Sequence, residues 1–308
     1  FHITIILVSS VEIPIPREIE KYVSYLDIPY PTDAEINEII DRHIQVNNYK
    51  EKFKEEDRQK LMPTLKGMSA LEIDRMLDMA MSSNGSLSGD DTEMILQQKK
   101  QMIKNSGLLE LIDTPENLDS IGGMNALKDY LKKKSKIMQN LPKAQAKGLV
   151  TPKGVMLVGM PGCGKSLCAK ASAAVFQVPL LRLDMGSMMG KYVGESEGNL
   201  RRAIKIAEAA APCILWIDEI EKAFSGVGSG SESYATRMFG YFLSWLQDKT
   251  SSVYVIATAN NADSLPPELK RKGRFDEIFC VNLPNKEECK AIFEVHLKKG
   301  NRKELYGN

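Results

Sequence analysis

The run "GMPGCGKS" (Gly159 to Ser166) follows the apolar stretch Val155 to Val158 and leads into a helical run through Ala174. Strand, glycine loop and helix, in that order, form the context in which such a run binds phosphate. Gly159, Gly162 and Gly164 let main-chain N–H groups curl around phosphate oxygens, and the following helix presents its positive N-terminal end. Lys165 is placed to neutralise the β- and γ-phosphates of a nucleoside triphosphate, and Ser166 to offer its hydroxyl to Mg²⁺. A second group lies in "CILWIDEIEKAF", where Cys213 to Ile217 reads as a strand buried on both faces and ends in Asp218-Glu219. Ligands collect at the carboxyl edge of such sheets. Asp218 would hold Mg²⁺ through its water shell, and Glu219 would polarise the water that displaces the γ-phosphate in line. A further apolar run, "VYVIATANN", ends in Asn260, whose amide can hydrogen-bond that water or the γ-phosphate.

Elements that can hold these groups fit the size of the chain. Its 308 residues suffice for one large domain or two modest ones. A net charge of +1 gives no global field for nucleic acid or an anionic membrane. The apolar run Ile3 to Val8 is far short of the roughly 20 residues of a membrane span, so a non-exported protein without a membrane partner is expected. Five cysteines (Cys163, Cys168, Cys213, Cys280, Cys289), odd in number and without metal-ligand spacing, indicate a reduced compartment. Ile3, Ile5 and Leu7 alternate as in a strand, so the chain is expected to open inside a sheet element, as a fragment would.

The two ends of the chain resemble each other. Aligning Glu18 with Glu268 places Ile19 on Leu269 and Lys21 on Arg271, and a gap then brings Ile28-Pro29 onto Leu283-Pro284. A strand is expected before each (Thr4 to Val8; Tyr254 to Thr258) and an acidic helix start after each (Thr32 to Glu35; Asn285 to Glu288), the pattern of a duplicated module. Thr32 to Ile44 reads as a helix with Ile36, Ile39, Ile40 and Ile44 on one face. In "GMSALEIDRMLDMA", Ser69 and Glu72 form a capping box before a stripe at Ile73, Met76, Leu77 and Ala80. "SSNGSLSGDD" is a turn or loop, and Thr92 to Lys104 a polar helix connecting modules.

With "DSIGGMNALKDYL" (Asp119 to Leu131), "KYVGESEGNLR" (Lys191 to Arg201) and "LPPELKRKGRFDE" (Leu265 to Glu277) added to the two nucleotide motifs, the chain from about Leu111 onward resembles the classical clade of AAA+ ATPases. Within it, "FGYFLSWLQDKTSSVYVIATANN" and the linker "ILQQKKQMIKNSGLLELIDTPEN" are similar to the conserved reading-frame AAA proteins of cyanobacteria and plastids. The resemblance implies an α/β P-loop fold, a parallel sheet flanked by helices, preceded by a small helical lid from a degenerate AAA module. It implies ATP as the nucleotide, with Pro161, Gly162, Cys163, Gly164, Lys165, Ser166 and Leu167 around its phosphates and Ile121, Gly122 and Gly123 on its adenine. Arg271 and Arg274 match the pair that reaches the γ-phosphate held by the next subunit, so a homo-oligomeric ring, a hexamer in this clade, is implied. Arginine's planar cation suits charge on a transferring phosphoryl group. Tyr192, flanked by Lys191 and Val193, matches an aromatic pore loop that grips a threaded protein; anchoring its own loop is the plainer role.

The expected organisation is a last strand and turn of a degenerate core in residues 1–30, a helical lid and linker helix in 31–110, an AAA+ core in 111–284 and the start of an incomplete lid in 285–308. In that scheme Ser10 falls at the place of Asn260, and Lys21 at that of Arg271. The lid's nucleotide-sensing segment is expected to lie outside the chain. Lys128, Lys132, Lys133, Lys134 and Lys136 read as a solvated helix face rather than a nucleic-acid surface, having only Tyr130 among them as an aromatic. The run "SGVGSGSES" suits a second pore loop or an idle connection. The function expected is Mg²⁺-dependent ATP hydrolysis coupled to remodelling or threading of a protein partner, in the cytoplasm or plastid stroma. The alternative is an ATP-binding switch or scaffold with little hydrolysis.

Overall fold

The computed structural model describes residues 5–7, 17–24, 26, 30–46, 53–84, 91–113, 116–185, 196–224 and 234–300. The first part is helical. Helices α1 (Asp33–Val46), α2 (Glu55–Leu65), α3 (Ala70–Asn84) and α4 (Thr92–Ser106) enclose a small core. Ile36, Ile39, Ile40 and Ile44 of α1 meet Leu61 and Leu65 of α2 and Ile73, Met76, Leu77 and Ala80 of α3, all buried. Each such side chain contributes about 1.5–3 kcal/mol of burial. The capping box forms as expected: Ser69 N donates to Glu72 Oε2 at 2.8 Å, and Glu72 N to Ser69 Oγ at 3.3 Å.

Helix α4 is less of a polar connector than its composition suggests. Ile95 is buried in the helical core and Ile103 in the core of the sheet domain, so the one helix is shared between them. Lys99 between them is only 8% exposed and donates to Lys66 O at 2.7 Å. Burial pushes its ammonium pKa down to about 8.

The second part is a six-stranded sheet of β1 (Glu110–Ile112), β2 (Gly154–Gly159), β3 (Leu180–Asp184), β4 (Cys213–Asp218), β5 (Val253–Ala259) and β6 (Glu277–Val281). The spatial order is β1-β3-β4-β5-β2-β6. All neighbours run parallel except β1, which pairs antiparallel with β3 at the edge. The continuous apolar runs of β2, β4 and β5 are what a sheet covered on both faces needs. Helices α5 (Asn125–Gln139), α6 (Leu141–Ala146) and α7 (Lys165–Phe176) follow β1 and β2 in the chain; Leu127, Leu131, Ala169 and Phe176 of α5 and α7 pack with Leu157, Trp216 and Tyr254 on one face. On the other, α8 (Ser196–Ala209), α9 (Ile220–Phe224) and α10 (Tyr234–Asp248) bring Leu200, Ile204, Phe224 and Phe242 against Met156, Leu215 and Val255.

The two aligned ends share part of their local structure. Arg17–Glu20 is a single helical turn, and the aligned Pro267–Lys270 is a 3₁₀ turn. Helix α11 (Lys286–Lys299) is 14 residues long, as α1 is, and starts in the same way. Thr32 N donates to Glu35 Oε2 at 2.7 Å and Asn285 N to Glu288 Oε2 at 3.1 Å. These caps place Tyr30-Pro31, rather than Ile28-Pro29, on Leu283-Pro284, because a cap fixes where a helix begins. The expected strand at Thr4 to Val8 is not seen in its described part. Ile5, Ile6 and Leu7 lie outside any strand and are over 70% exposed, since a strand exists only by pairing and none of the described strands lies beside them. Ser10 lies outside the described residues.

The lysine cluster is not one solvated face. Lys128 Nζ donates to Ile121 O at 2.5 Å, and Lys134 pairs with Asp276 at 3.2 Å while lying over the Tyr130 ring. Lys132, Lys133 and Lys136 are exposed.

Candidate active site

The nucleotide loop is shaped by three glycines that work in two ways. Gly162 (φ +84°) and Gly164 (φ +86°) adopt the left-handed conformation that costs other residues roughly 1–2 kcal/mol. Gly159 has no positive φ; a Cβ there would come within 2.0 Å of Val281 O. The first glycine therefore serves the close approach of β2 to β6 rather than the curl of the loop. Lys165, first residue of α7, is 6% exposed, and its Nζ bridges Gly159 O at 2.6 Å and Met160 O at 2.8 Å. Ser166 follows it, exposed, in the first turn of the helix.

Strands β4 and β5 bring up the acidic side. Asp218 ends β4, and Thr258 on β5 donates its hydroxyl to Asp218 Oδ1 at 2.6 Å. The same Thr258 Oγ1 accepts from Glu219 N at 3.2 Å. Glu219 has φ +51°, a strained setting for a residue with a side chain. Its carboxylate is held at both oxygens, Oε1 by Asn260 Nδ2 at 3.0 Å and Oε2 by Lys222 Nζ at 2.5 Å. The Lys222 hydrogen bond chiefly, and the Asn260 amide after it, hold the Glu219 carboxyl below the usual range against the opposing effect of burial. Asn260 is itself fixed by donation from its main-chain N to Glu221 Oε1 at 2.9 Å. From β3, Arg182 reaches Asp218 Oδ2 at 3.3 Å and Glu110 Oε2 at 3.4 Å, with its guanidinium over the Trp216 ring.

These groups face one another across a cleft of about 370 Å³. Pro161, Gly162, Gly164, Lys165, Ser166 and Leu167 form one wall; Asp218, Glu219, Thr258 and Asn260 form the other. Cys163 stands in the loop but not in the wall, half-buried beside the core. A larger cavity, about 710 Å³, lies away from this chemistry, where Leu96 and Ile103 of α4 meet Val178 and Pro212. The residues of the smaller cleft suit a nucleotide with Mg²⁺. A buried lysine whose Nζ meets, among the described residues, only two main-chain carbonyls of its own loop, two left-handed glycines and a helix start form a phosphate cradle. Among the described residues no group of three or more His, Cys, Asp or Glu could hold a metal alone, so Mg²⁺ beside Ser166 and Asp218 would draw on phosphate oxygens, as that ion commonly does.

Ile121, Gly122 and Gly123 lie beside the cleft rather than in its wall. Ile121 is buried, and a Cβ on Gly122 would overlap Ile292 of α11 at 2.5 Å. Met124 N donates to Glu288 Oε1 at 3.3 Å, so the segment is held between α11 and the loop. Arg271 is exposed, and Arg274 donates to Glu268 O at 2.8 Å. Both precede β6, whose first residue Glu277 pairs with Val155 at the start of β2, whereas the phosphate loop follows the end of β2. The strand between spans five steps, roughly 17 Å, so neither arginine belongs to the cleft of its own chain. Lys191, Tyr192 and Val193, and the run Ser225 to Ser233, lie outside the described residues.

Sequence reasoning did not find Thr258, Arg182, Glu221 or Lys222. Thr258 carried a signal, being the polar residue in an otherwise apolar strand, and so did Arg182, a charge between leucines. Their partners come from neighbouring strands, and only the sheet order supplies those.

A parallel sheet with this strand order and a glycine loop between β2 and α7 defines a P-loop nucleotide-binding protein of α/β class. Residues 155–283 match the ATPase family associated with various cellular activities (AAA), and residues 34–106 match the SpoVK-like AAA ATPase, second domain. Residues 155–283 thus form a domain of the AAA family of P-loop ATPases. The chain is 40% identical over 297 residues to the AAA domain-containing protein ycf46 of Guillardia theta, covering 96% of this chain and 58% of that one. The ycf46 protein of Trieres chinensis is 41% identical over 296 residues, with 96% and 59% covered. A proteasome-activating nucleotidase of Methanocella arvoryzae is 33% identical over 201 residues, 63% of this chain and 48% of its own. The chain thus spans under two thirds of the length of the ycf46 relatives. No helix among the described residues is long and apolar enough to cross a membrane.

Proposed function

We propose that the protein hydrolyses ATP with Mg²⁺ as a homo-oligomeric ring, a hexamer, and uses the cycle to remodel or thread a protein partner. The observation that carries the catalytic part is the meeting of Lys165 and Ser166 with Asp218, Glu219 and Asn260 across one cleft. Main-chain N–H groups at Gly162 and Gly164 would receive phosphate oxygens, and Lys165 would exchange its two carbonyl partners for the β- and γ-phosphates. Ser166 and Asp218 would hold Mg²⁺, which when bound neutralises charge on the phosphates. Glu219, ionised because Lys222 and Asn260 favour its carboxylate, is set to accept from the attacking water. Asn260 keeps that carboxylate in place, and the Thr258 hydroxyl ties the Glu219 main-chain N–H to Asp218.

Oligomerisation is supported by the arginines, which stand about one strand length from their own cleft and so suit a neighbour's. The proteasome-activating nucleotidase and a peroxisomal ATPase pex6 of Schizosaccharomyces pombe among the relatives accord with work on protein partners. For the adenine we infer Ile121, Gly122 and Gly123, and for the protein substrate Lys191, Tyr192 and Val193. From the repeat we infer that residues 31–110 are the lid of a preceding degenerate module, 111–284 the working core and 285–308 the beginning of its lid. For location we infer the cytoplasm or plastid stroma, a reading that the ycf46 relatives support.

Steady-state ATP turnover of Glu219→Gln and nucleotide binding of Lys165→Ala test the site. Loss of turnover with binding retained in the first, and loss of binding in the second, is expected. Unchanged turnover in Glu219→Gln would remove the assigned base, and negligible turnover in the wild-type ring would favour the switch or scaffold. For threading, Tyr192→Ala should keep ATP turnover and lose remodelling.

A further inference from the structure

The turn that carries both arginines is tied to the strand that carries the phosphate loop. Lys153 immediately precedes β2, and its Nζ donates to Gly273 O at 2.7 Å and to Gln247 O at 2.5 Å. Gly273 stands between Arg271 and Arg274 with φ +97°, a conformation that leaves its carbonyl facing Lys153. Gln247 lies in the last turn of α10. The main chain of the same lysine is held from the other side of that turn. Lys153 N donates to Asp276 Oδ2 at 3.1 Å and Oδ1 at 3.3 Å, and Asp276 N donates back to Gly154 O at 2.8 Å. Lys134 of α5 completes the carboxylate's partners at 3.2 Å.

One lysine thus binds the arginine turn with both its ends, by side chain at Gly273 and by main chain at Asp276. We infer that Lys153 and Asp276 are positioning residues that aim Arg271 and Arg274 at the site of the adjoining subunit. This rests on the reading of that pair as groups completing a neighbour's cleft. Arg274 is itself anchored only by its donation to Glu268 O, with Nε lacking a hydrogen-bond partner among the described residues. Without the lysine the turn would keep its sequence and lose its fixed direction. Charge-assisted bonds to two carbonyls on separate elements are stronger than neutral ones and define a direction. Because β2 runs from Lys153 to the phosphate loop, the tie also puts the chain's own nucleotide and the arginines it offers on one rigid strand.

The experiment uses the full-length protein and mixed subunits. Lys153→Met should bind a fluorescent ADP analogue as wild type does, with kcat lowered roughly 10- to 100-fold and KM for ATP little changed. Lys153→Arg should retain most of the turnover. Glu219→Gln subunits, inactive but with intact arginines, should raise the turnover of Lys153→Met subunits when mixed with them, since the defect lies in what a subunit offers its neighbour. Asp276→Asn gives a second reading, with a smaller loss, should the methionine variant fail to fold. A Lys153→Met defect that mixing does not lift, or unchanged turnover, would overturn the inference. The control is Arg271→Ala with Arg274→Ala mixed with the same partner. If that double variant keeps full turnover, the reading in trans fails and the positioning role with it; if it behaves as expected and Lys153→Met does not, only the positioning role falls.

Discussion

Helices α1 and α11 start with the same kind of cap and are each 14 residues long, yet they sit in different surroundings. In register with the caps, Ile36, Ile39, Ile40 and Ile44 of α1 correspond to Cys289, Ile292, Phe293 and Leu297 of α11. The first four are buried beneath α2 and α3; none of the second four is, and Phe293 is 69% exposed. Before the helices, Lys21 lies over the Tyr22 ring where the other copy has Arg271. Within the described residues the first helix buries this face and the second does not. The caps form in both, because they depend on residues a few positions apart.

The comparison breaks most sharply at the arginines. Arg271→Ala should lower ATP turnover of the assembled protein by 10³-fold or more, on the order of an arginine finger's contribution, while Lys21→Ala should leave it unchanged. Equal losses would mean that the first copy also serves a site. Next comes packing. Ile40→Ala should destabilise the helical part by about 2–5 kcal/mol in denaturant melts, and Phe293→Ala by no more than about 0.5 kcal/mol.

A smaller effect separates the Glu219 site from ordinary carboxylates. The hydrogen bond from Lys222 is the first cause of its lowered pKa, so Lys222→Met should raise it. Glu219 acts as a base only when ionised, so the acid limb of the pH–rate profile should move to higher pH in that variant. A limb that stays in place would assign it to another group. Least of all, Thr32→Ala and Asn285→Ala should each cost about 1 kcal/mol, and by similar amounts, since the two caps share one geometry.

Much of the helical part was legible because its signals are local. The Ser69–Glu72 box and the α1 stripe require only helical spacing, and both form. So were β2, β4 and β5, whose unbroken apolar runs suit a covered sheet. The short edge strand β1 was not, for three residues after a helix have no period to read. Nor was the packing of Lys128 and Lys134, whose partners Ile121 O and Asp276 belong to a loop and to the end of the chain's last turn before β6.

The amino-acid sequence by itself determined the phosphate loop, the acidic strand end and the asparagine, because each is a short run whose residue types follow from the charge they must meet. It determined the two acidic helix starts, at Thr32 and Asn285, through their caps. Only the tertiary structure decided that Gly159 serves strand packing, that Thr258 joins Asp218 to Glu219, and that Lys153 grips the turn between the arginines. Those relations join residues far apart in the chain, and the order in which strands pair brings them within reach. No spacing in the sequence encodes which strand lies beside which; burial of both sheet faces chooses that order.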